Sequence, residues 1–280
     1  MALRTRLPRT AAVTGFLALE RQVSDLERSI DFYVRGLGFA LQSPSHRPAD
    51  RAGAILRLGE ERIALFVAGN ADDEVPRVDG PDVRFAHAAI VTGDMAGALQ
   101  RLKALAPASI THGGPQQLPP ASGGATAFKF RDPDGHPLEL IQFATGNCPV
   151  RWRAHEGRHA TLGIDHAAIS VSQVERSIAF YEGMGFRTGA RQINRGSGQA
   201  RLDGLATSGV DVEVEVVAMI PGGQSGVHLE LLAYITPAPS GTALVSNGAN
   251  HAMADRLVWH GSPAMTFAAD PDGHLHDVGC

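Results

Sequence analysis

Apolar residues at helical spacing mark the same helix twice in this chain. In VSDLERSIDFYVRGLGF, which begins at Val23, the residues Leu26, Ile30 and Tyr33 fall on one face of a helix. The pattern returns in VSQVERSIAFYEGMGF, which begins at Val171. A stretch repeated in this way predicts two copies of one structural unit.

The residues that flank these apolar positions predict where the helices begin and end. Ser24 and Glu27 have the spacing of a capping box, which predicts that the first helix begins at about Ser24. Gly36 and Gly38 follow, as is typical of a helix C-terminus. The second copy has the same signals in SQVE and GMG, so each helix is expected to end at a turn that leads into a strand.

Apolar runs predict strands around each helix. AILRLG and RIALFVAG follow the first helix, and VDVEVEVVAMI and VHLELLAYI follow the second. A less similar copy, FAHAAIVTGDMAGALQRLKAL, lies between them and ends in two strands joined by the turn DPDG at Asp132. DPDG returns at Asp270, in a fourth copy that lacks its helix and one strand. The unit is β-α-β-β-β, present three times in full and once truncated.

The repeats predict two domains of the α+β class, built from tandem βαβββ units. Residues 1–13 form a leader, 14–145 hold two units, 146–162 form a polar and basic linker, and 163–280 hold one full and one truncated unit. The basic start before AAVTGFLAL resembles a targeting peptide only weakly, because acidic and basic residues follow at once and no cleavage site is present.

Composition and charge narrow the partners. Hydrophobic residues make up 44% of the chain and charged residues 19%, values typical of a globular protein with apolar cores. The net charge is −4 and no run of Lys or Arg occurs, so a nucleic-acid partner is not expected. Cys148 and Cys280 form no disulfide framework, which favours a cytoplasmic protein. We expect a small-molecule ligand, no membrane partner and a homodimer.

Four polar residues on predicted strands are candidates for chemistry. His87 and His166 each open the sequence HAAI, and Glu139 and Glu230 each lie inside a later apolar strand. A carboxylate inside an apolar strand is costly to bury unless it is paired or bound to a metal. Each residue alone is more often a core or surface residue, but the four together favour a divalent-metal site.

The aspartates of the two DPDG sequences are assigned to structure. Asp-Pro followed by Asp-Gly is turn chemistry, so these residues are not expected to bind metal. His260, His274 and His276 lie close to the second DPDG, in a hairpin and tail that we expect to be exposed. RQINRGSGQARLDGLATSG and THGGPQQLPPASGG are expected to be loops that line the mouth of a site.

The repeated VSDLERSI-x-FY and DPDGH-x-LEL signatures, with His on strand one and Glu on strand four, resemble the vicinal-oxygen-chelate superfamily. This superfamily includes glyoxalase I, bleomycin-resistance proteins and extradiol dioxygenases. The similarity runs from about residue 14 to the C-terminus, and its motifs are specific for the fold rather than for the reaction. It implies that two units pack as an eight-stranded half-barrel, with a metal ion held in the cup by residues of both units.

The implied ligand positions are degenerate in the first and last units. Ala18 and Ala64 stand where the resemblance implies His and Glu in the first unit, and Arg256 and Asp277 stand there in the fourth. The sites therefore depend on which units pair.

Two pairings are open. Neighbouring pairing leaves one cup with His87 and Glu139, and the other with His166, Glu230 and, more weakly, Asp277. Crossed pairing of the second unit with the third completes a His87, Glu139, His166 and Glu230 set. Consecutive elements usually lie adjacent, which gives neighbouring pairing the preference. The placement of all intact ligands in the middle units favours crossed pairing.

The resemblance implies three alternative functions. The first is a glyoxalase-like lyase or isomerase that uses Ni, Zn, Co, Mn or Fe and a substrate with vicinal oxygens, with Glu230 or Glu139 moving the proton. The second is an Fe(II) extradiol-type dioxygenase, which needs two His and one carboxylate. The third is a non-catalytic protein of the bleomycin-resistance type that binds a small molecule or antibiotic.

Overall fold

The computed structural model describes residues 13–42, 52–67, 77–154, 161–205, 211–223, 226–242, 255–261 and 267–279. The strands are β1 (Val13–Val23), β2 (Ala40–Gln42), β3 (Gly53–Leu58), β4 (Glu61–Val67), β5 (Ala86–Thr92), β6 (Gln116–Gln117), β7 (Thr126–Arg131), β8 (Pro137–Gln142), β9 (Thr161–Ser170), β10 (Arg187–Arg195), β11 (Glu213–Ile220), β12 (His228–Thr236), β13 (Arg256–Gly261), β14 (Ala268–Ala269) and β15 (Leu275–Gly279). The helices are α1 (Leu26–Asp31), α2 (Met95–Lys103), α3 (Val150–Arg153), α4 (Val174–Gly183) and α5 (Ser197–Leu202). Cys280 and residues 1–12 of the predicted leader lie outside the described residues.

The strands form two sheets whose order settles the pairing of the units. The eight-stranded sheet runs β10-β11-β12-β9-β5-β8-β7-β6 and joins the second unit (β5 to β8) to the third (β9 to β12). The seven-stranded sheet runs β14-β15-β13-β1-β4-β3-β2 and joins the first unit (β1 to β4) to the fourth (β13 to β15). Crossed pairing is confirmed, and neighbouring pairing is wrong. The α+β class with tandem βαβββ units is also confirmed.

Strand register shows that the two sheets are copies of each other. His87 lies opposite Ala168 in the eight-stranded sheet, and Ala18 lies opposite Val258 in the seven-stranded sheet. Across the parallel ladders, Ala168 faces Glu230 and Val258 faces Asp277. The alignment that put Ala18 and Asp277 at degenerate ligand positions therefore holds in three dimensions.

The largest group of buried apolar residues is shared by both sheets. It includes Leu19 and Trp259 from the seven-stranded sheet and Ile90 and Leu229 from the eight-stranded sheet, all at most 2% exposed. Tyr33, which follows α1 in a turn of π-helix (Phe32–Gly36), is completely buried in the same core. The helices thus bury their apolar faces where both sheets contribute side chains.

The repeated helix sequences hold the DPDG turns. Helix α1 begins two residues later than predicted, because Asp25 is its N-cap and accepts from Arg28 N. Ser24 is not the cap: its backbone N and its Oγ both donate to Asp134 Oδ1 in the first DPDG. Ser172, before α4, donates to Asp272 of the second DPDG in the same way. Both turns therefore tie one sheet to the helix of a unit in the other.

The truncated fourth unit is more buried than predicted. His274 is 5% exposed and His276 is 0% exposed, so the prediction that these two histidines are exposed is wrong. His260 is exposed, as predicted. Tyr181 Oη lies 2.9 Å from His276 Nε2, and Trp259 Nε1 donates to His276 Nδ1 at 3.1 Å. The tail is buried because these contacts pack it against the core.

No helix in the described part of the chain is both long and apolar enough to cross a membrane. The domain limits, the homodimer and the cytoplasmic location stay predictions.

Candidate metal centre

The four sequence candidates meet on the central strands of the eight-stranded sheet. His87 on β5, Glu139 on β8 and His166 on β9 are buried, and the side chain of Glu230 on β12 is 23% exposed. His87 Nε2 lies 3.0 Å from Glu139 Oε2, and His166 Nε2 lies 3.6 Å from Glu230 Oε2. Donor atoms of His87, Glu139 and His166 all lie within 4.8 Å of one another, as in a metal site. We call these four residues the central cluster.

Asp277, the weaker candidate, is not in the central cluster. It lies on β15 of the seven-stranded sheet, opposite Val258. The corresponding positions of that sheet hold Ala18, Ala64 and Arg256, and Arg256 Nη1 lies 3.8 Å from Glu20 Oε2. Because crossed pairing puts the fourth unit in the other sheet, Asp277 has no partners there for a His and Glu site.

The electrostatics of the central cluster keep one imidazole neutral and both carboxylates ionised. Burial and the nearby Lys129 ammonium lower the pKa of His87. Burial would raise the pKa of Glu139, but His87 and Lys129 outweigh it and lower that pKa. Burial opposes ionisation of Glu230 as well, yet His166 and His228 lower its pKa to about 2. The carboxylates are therefore available as ligands at neutral pH.

His166 is held by a carboxylate from its own strand. It pairs with Ala89 while Ile164 pairs with Ile90, so Asp165 is the extra residue of a β-bulge. Asp165 Oδ2 lies 3.2 Å from His166 Nδ1. Burial lowers the pKa of His166, but Glu230 and Asp165 raise it to about 9. In the metal-free protein His166 is therefore charged at neutral pH, and a metal must displace its proton.

Two further residues beside the cluster carry donors. His228 Nε2 lies 3.4 Å from Glu230 Oε1, and His228, Asp165 and His166 form a second group whose donor atoms lie within 4.8 Å of one another. Lys129 on β7 faces Glu139 across the ladder, with Nζ 4.0 Å from Glu139 Oε2. The cluster is thus bordered by an imidazole on one side and an ammonium on the other.

The central cluster opens into a cavity of about 500 Å³. Leu118, Ser122 and Gly123 line it from the segment between β6 and β7, and Gln192 and Leu202 line it from the segment around α5. Both predicted mouth segments therefore reach the cavity. The second is not a loop over its described length, because it contains most of β10 and α5. A cavity of this size accommodates a small molecule.

Comparison with known proteins agrees with this architecture. Residues 15–140 match the model of the glyoxalase/bleomycin resistance protein/dioxygenase superfamily. Glyoxalase I from Zea mays has a similar structure, with a TM-score of 0.62 at 17% identity over 94% of this chain and 91% of the maize chain. A Bacillus subtilis protein gives a TM-score of 0.58 at 14% identity, over 95% of this chain and 85% of that one. The matched segment, residues 15–140, therefore belongs to this superfamily, and the fold of the chain is similar to that of these proteins.

Curated relatives of the chain include lactoylglutathione lyases. The Arabidopsis thaliana enzyme is 28% identical over 183 residues, which are 64% of this chain and 57% of that protein. The Oryza sativa subsp. japonica enzyme is 29% identical over 167 residues, 58% of this chain and 50% of that protein. The match thus spans about half the length of these relatives. A Neisseria meningitidis lactoylglutathione lyase is 28% identical over 134 residues, 47% of this chain and 93% of that protein.

The central cluster has neighbours that the sequence analysis did not identify. Lys129 lies in ATAFKF, where the strand pattern alone gives no sign that it faces the cup. Asp165 and His166 are sequence neighbours and would be placed on opposite faces of a regular strand, so only the bulge brings both to the cavity. His228 could have been found, since it lies two residues before Glu230 and shares its face.

Proposed function

We propose that this chain is a divalent-metal-dependent, glyoxalase-like lyase or isomerase that acts on a small molecule with two neighbouring oxygens. The observation that carries the proposal is the convergence of His87, Glu139, His166 and Glu230 on one cluster beside a cavity. Two imidazoles and two carboxylates are ligands suited to Ni, Zn, Co, Mn or Fe as divalent ions.

A property of His87 tests whether a metal fits. Both of its ring nitrogens are buried and lack a hydrogen-bond partner in the described residues, although Nε2 lies 3.0 Å from Glu139 Oε2. Buried polar atoms are rarely left unsatisfied without a functional reason. A cation bound at this place would be coordinated by the neutral imidazole and by the ionised carboxylate. The residues present therefore fit a divalent ion.

The chain's own residues would divide the work at this site. When bound, the metal supplies a Lewis acid that stabilises negative charge on a substrate oxygen. His87, His166 and Glu139 would hold the ion. Glu230 is the better candidate for proton transfer, because its side chain is 23% exposed and Glu139 is only 5% exposed. Its Oε1, 3.4 Å from His228, would take the proton from the carbon next to the substrate carbonyl.

An Fe(II) dioxygenase is the second candidate function, because three residues of the central cluster form the ligand set that it needs. The three donors that converge within 4.8 Å are His87, His166 and Glu139, which form a set of two histidines and one carboxylate. Such a triad with open positions suits non-haem Fe(II) oxygenases. Glu230 is the residue that separates the two proposals, because only the lyase or isomerase requires it to transfer a proton.

Metal analysis of the purified protein tests the proposal. We expect about one divalent ion per chain in the wild type and its loss in a His166→Ala/Glu230→Ala double variant. The matched control is Arg256→Ala/Asp277→Ala, which changes the equivalent positions of the seven-stranded sheet and should leave the metal in place.

The identity of the bound metal distinguishes the candidate functions. Ni, Zn, Co or Mn with turnover of lactoylglutathione, the compound in the names of the relatives, would support the lyase or isomerase. Iron with oxygen consumption would support the dioxygenase. Protein that stays metal-free after incubation with all five ions would refute both enzymes and favour the non-catalytic binding protein.

A further inference from the structure

Lys129 places a buried ammonium group on the wall of the cup. Its side chain is 4% exposed, and it lines the same cavity as the central cluster. Nζ donates to Asp203 Oδ1 at 2.7 Å and lies 4.0 Å from Glu139 Oε2, beyond hydrogen-bond distance. An ammonium has three N–H donors, and Asp203 is its one hydrogen-bond partner among the described residues. Lys129 thus has donors left for a ligand.

The repeats provide an internal comparison for this position. Lys129 faces Glu139 across the ladder between the third and fourth strands of its unit. At the matching places, Ile55 faces Ala64 in the first unit and Ala218 faces Glu230 in the third. The fold therefore does not require a cation there. Because a buried ammonium is costly to desolvate, its presence in the second unit calls for a role beyond folding.

Asp203 does not satisfy Lys129 alone, because it serves a second donor. Gln199 Nε2, on α5, donates to Asp203 Oδ2 at 2.7 Å. Asp203 is 1% exposed and follows directly after α5, whose last residue, Leu202, lines the cavity. This carboxylate fixes the ammonium in place and leaves its remaining donors near the cavity.

The rest of the cavity suggests the shape of the occupant. Leu118, Ile141, Phe143 and Leu202 form an apolar part of the lining. Arg151 adds a guanidinium group, but it is already paired with Glu61 and Asp165. An occupant that fits both parts has an acidic end near Lys129 and an apolar body.

We propose that Lys129 binds the carboxylate of the molecule that occupies the cup, and that this molecule is a small 2-hydroxy or 2-oxo carboxylic acid with an apolar body. Binding of the two neighbouring oxygens of such an acid at the metal site rests on the proposed function. The ion pair between its carboxylate and Lys129 is independent of the metal.

Calorimetry with mandelate and mandelamide tests the proposal. These two compounds share a phenyl group and a 2-hydroxyl group and differ in the charged carboxylate. We expect the wild type to bind mandelate at least tenfold more tightly than mandelamide, both metal-free and loaded with Co²⁺. In the metal-free protein, Lys129→Met should bind mandelate and mandelamide with affinities within twofold of each other. In the Co²⁺ protein, the variant should lower the preference for mandelate at least fivefold relative to the wild type. Its affinity for mandelamide should change less than twofold.

Several variants separate binding from folding. Lys129→Met/Asp203→Asn removes both charges of this ion pair, so the Asp203 carboxylate is not left buried without its partner, and the variant should lose the preference as the single variant does. Lys129→Arg should keep part of it, because the charge remains. Lys103→Met changes the other lysine of the chain, which is exposed on α2, and should have no effect.

A spectroscopic readout tests contact directly. The chain has two lysines, so NMR of protein labelled with ¹³C at the lysine ε-carbons should show two signals, which Lys129→Met assigns. Mandelate should shift the Lys129 signal and leave that of Lys103 in place. Absence of mandelate binding by the wild type, or a preference unchanged in both Lys129→Met variants, would overturn the proposal. If the protein takes up no Co²⁺, the metal-dependent function fails, and the metal-free titrations still decide the role of Lys129.

Discussion

His166 depends on the carboxylate next to it in sequence. Its Nδ1 lies 3.2 Å from Asp165 Oδ2, and its Nε2 faces Glu230. A histidine ligand commonly donates its second ring N–H to a carboxylate, which fixes the tautomer and orients the ring. Asp165 would therefore act on the metal through His166, as a positioning residue.

Replacing Asp165 by Asn should test this role without changing the shape of the side chain. We expect Asp165→Asn to weaken Co²⁺ binding by about 10- to 100-fold, because the second partner of the ligand is altered. In the metal-free protein the pKa of His166 should fall below about 9, since the variant loses one of the charges that raise it. Optical titration with Co²⁺ measures the first effect and NMR of the imidazole measures the second. Asp31→Asn, at an exposed residue paired with Arg35, is the control; equal affinities in the two variants would contradict the prediction.

Single residues were predictable from the sequence where a regular strand decides their direction. His87, Glu139, His166 and Glu230 stood out because each interrupts an apolar strand. Asp165 was not predictable, because its direction depends on a bulge that arises only when β9 pairs with β5. Lys129 required knowledge of its cross-strand neighbour, Glu139.

At the scale of elements, each repeated helix sequence and each DPDG turn work as one connection. Asp134 accepts from Ser24 N, Ser24 Oγ, Ser29 Oγ and Arg28. The helix itself was predictable from its apolar spacing, but its cap was not. Ser24 has a good capping sequence, yet its hydroxyl is used by an aspartate more than a hundred residues away, and Asp25 takes the cap instead.

Removing this aspartate should destabilise the protein more than removing a surface one. We expect Asp134→Ala to lower the free energy of unfolding by ~1–3 kcal/mol, because it leaves several donors without an acceptor. Asp272→Ala should cost less, since Asp272 accepts from Ser172 and not from an arginine. Urea unfolding measures both, with Asp31→Ala as the exposed control. If Asp134→Ala and Asp31→Ala unfold at the same urea concentration, the connection does not contribute to stability.

At the scale of the whole molecule, one buried ionic network joins three of the four units. Arg21 of the first unit donates to Tyr33 Oη, to Pro137 O and to Asp255. His136 of the second unit lies with Nδ1 2.9 Å from Asp255 Oδ1, just before the fourth unit. The sequence showed four related units but not which pairs form sheets, because strand pairing depends on such contacts between distant segments.

This network predicts a specific dependence of stability on pH. Burial would lower the pKa of His136, but Asp132 and Asp255 outweigh it and raise it above its ordinary value of 6.5. Burial would raise the pKa of Asp255, but Arg21 and His136 lower it below 3.8. The contribution of His136 is therefore complete below pH 6.5 and is lost as the pH rises through its raised pKa. That of Asp255 is complete above pH 3.8 and is lost as the pH falls through its lowered pKa.

The network should thus stabilise the fold most between pH 3.8 and pH 6.5, and the His136→Gln variant should reveal this dependence on pH. We expect the difference in free energy of unfolding between the wild type and this variant to be largest near pH 5 to 6 and to shrink toward pH 9, because deprotonation removes the charge that Asp132 and Asp255 stabilise. Urea unfolding at a series of pH values measures this difference. His260→Gln, at an exposed histidine, is the control and should change the free energy of unfolding little. A His136→Gln difference that stayed constant would mean that folding does not raise the pKa of His136. One that grew above pH 6.5 would mean that His136 is neutral in the folded protein, and that Arg21 alone balances the charge of Asp255 and Asp132.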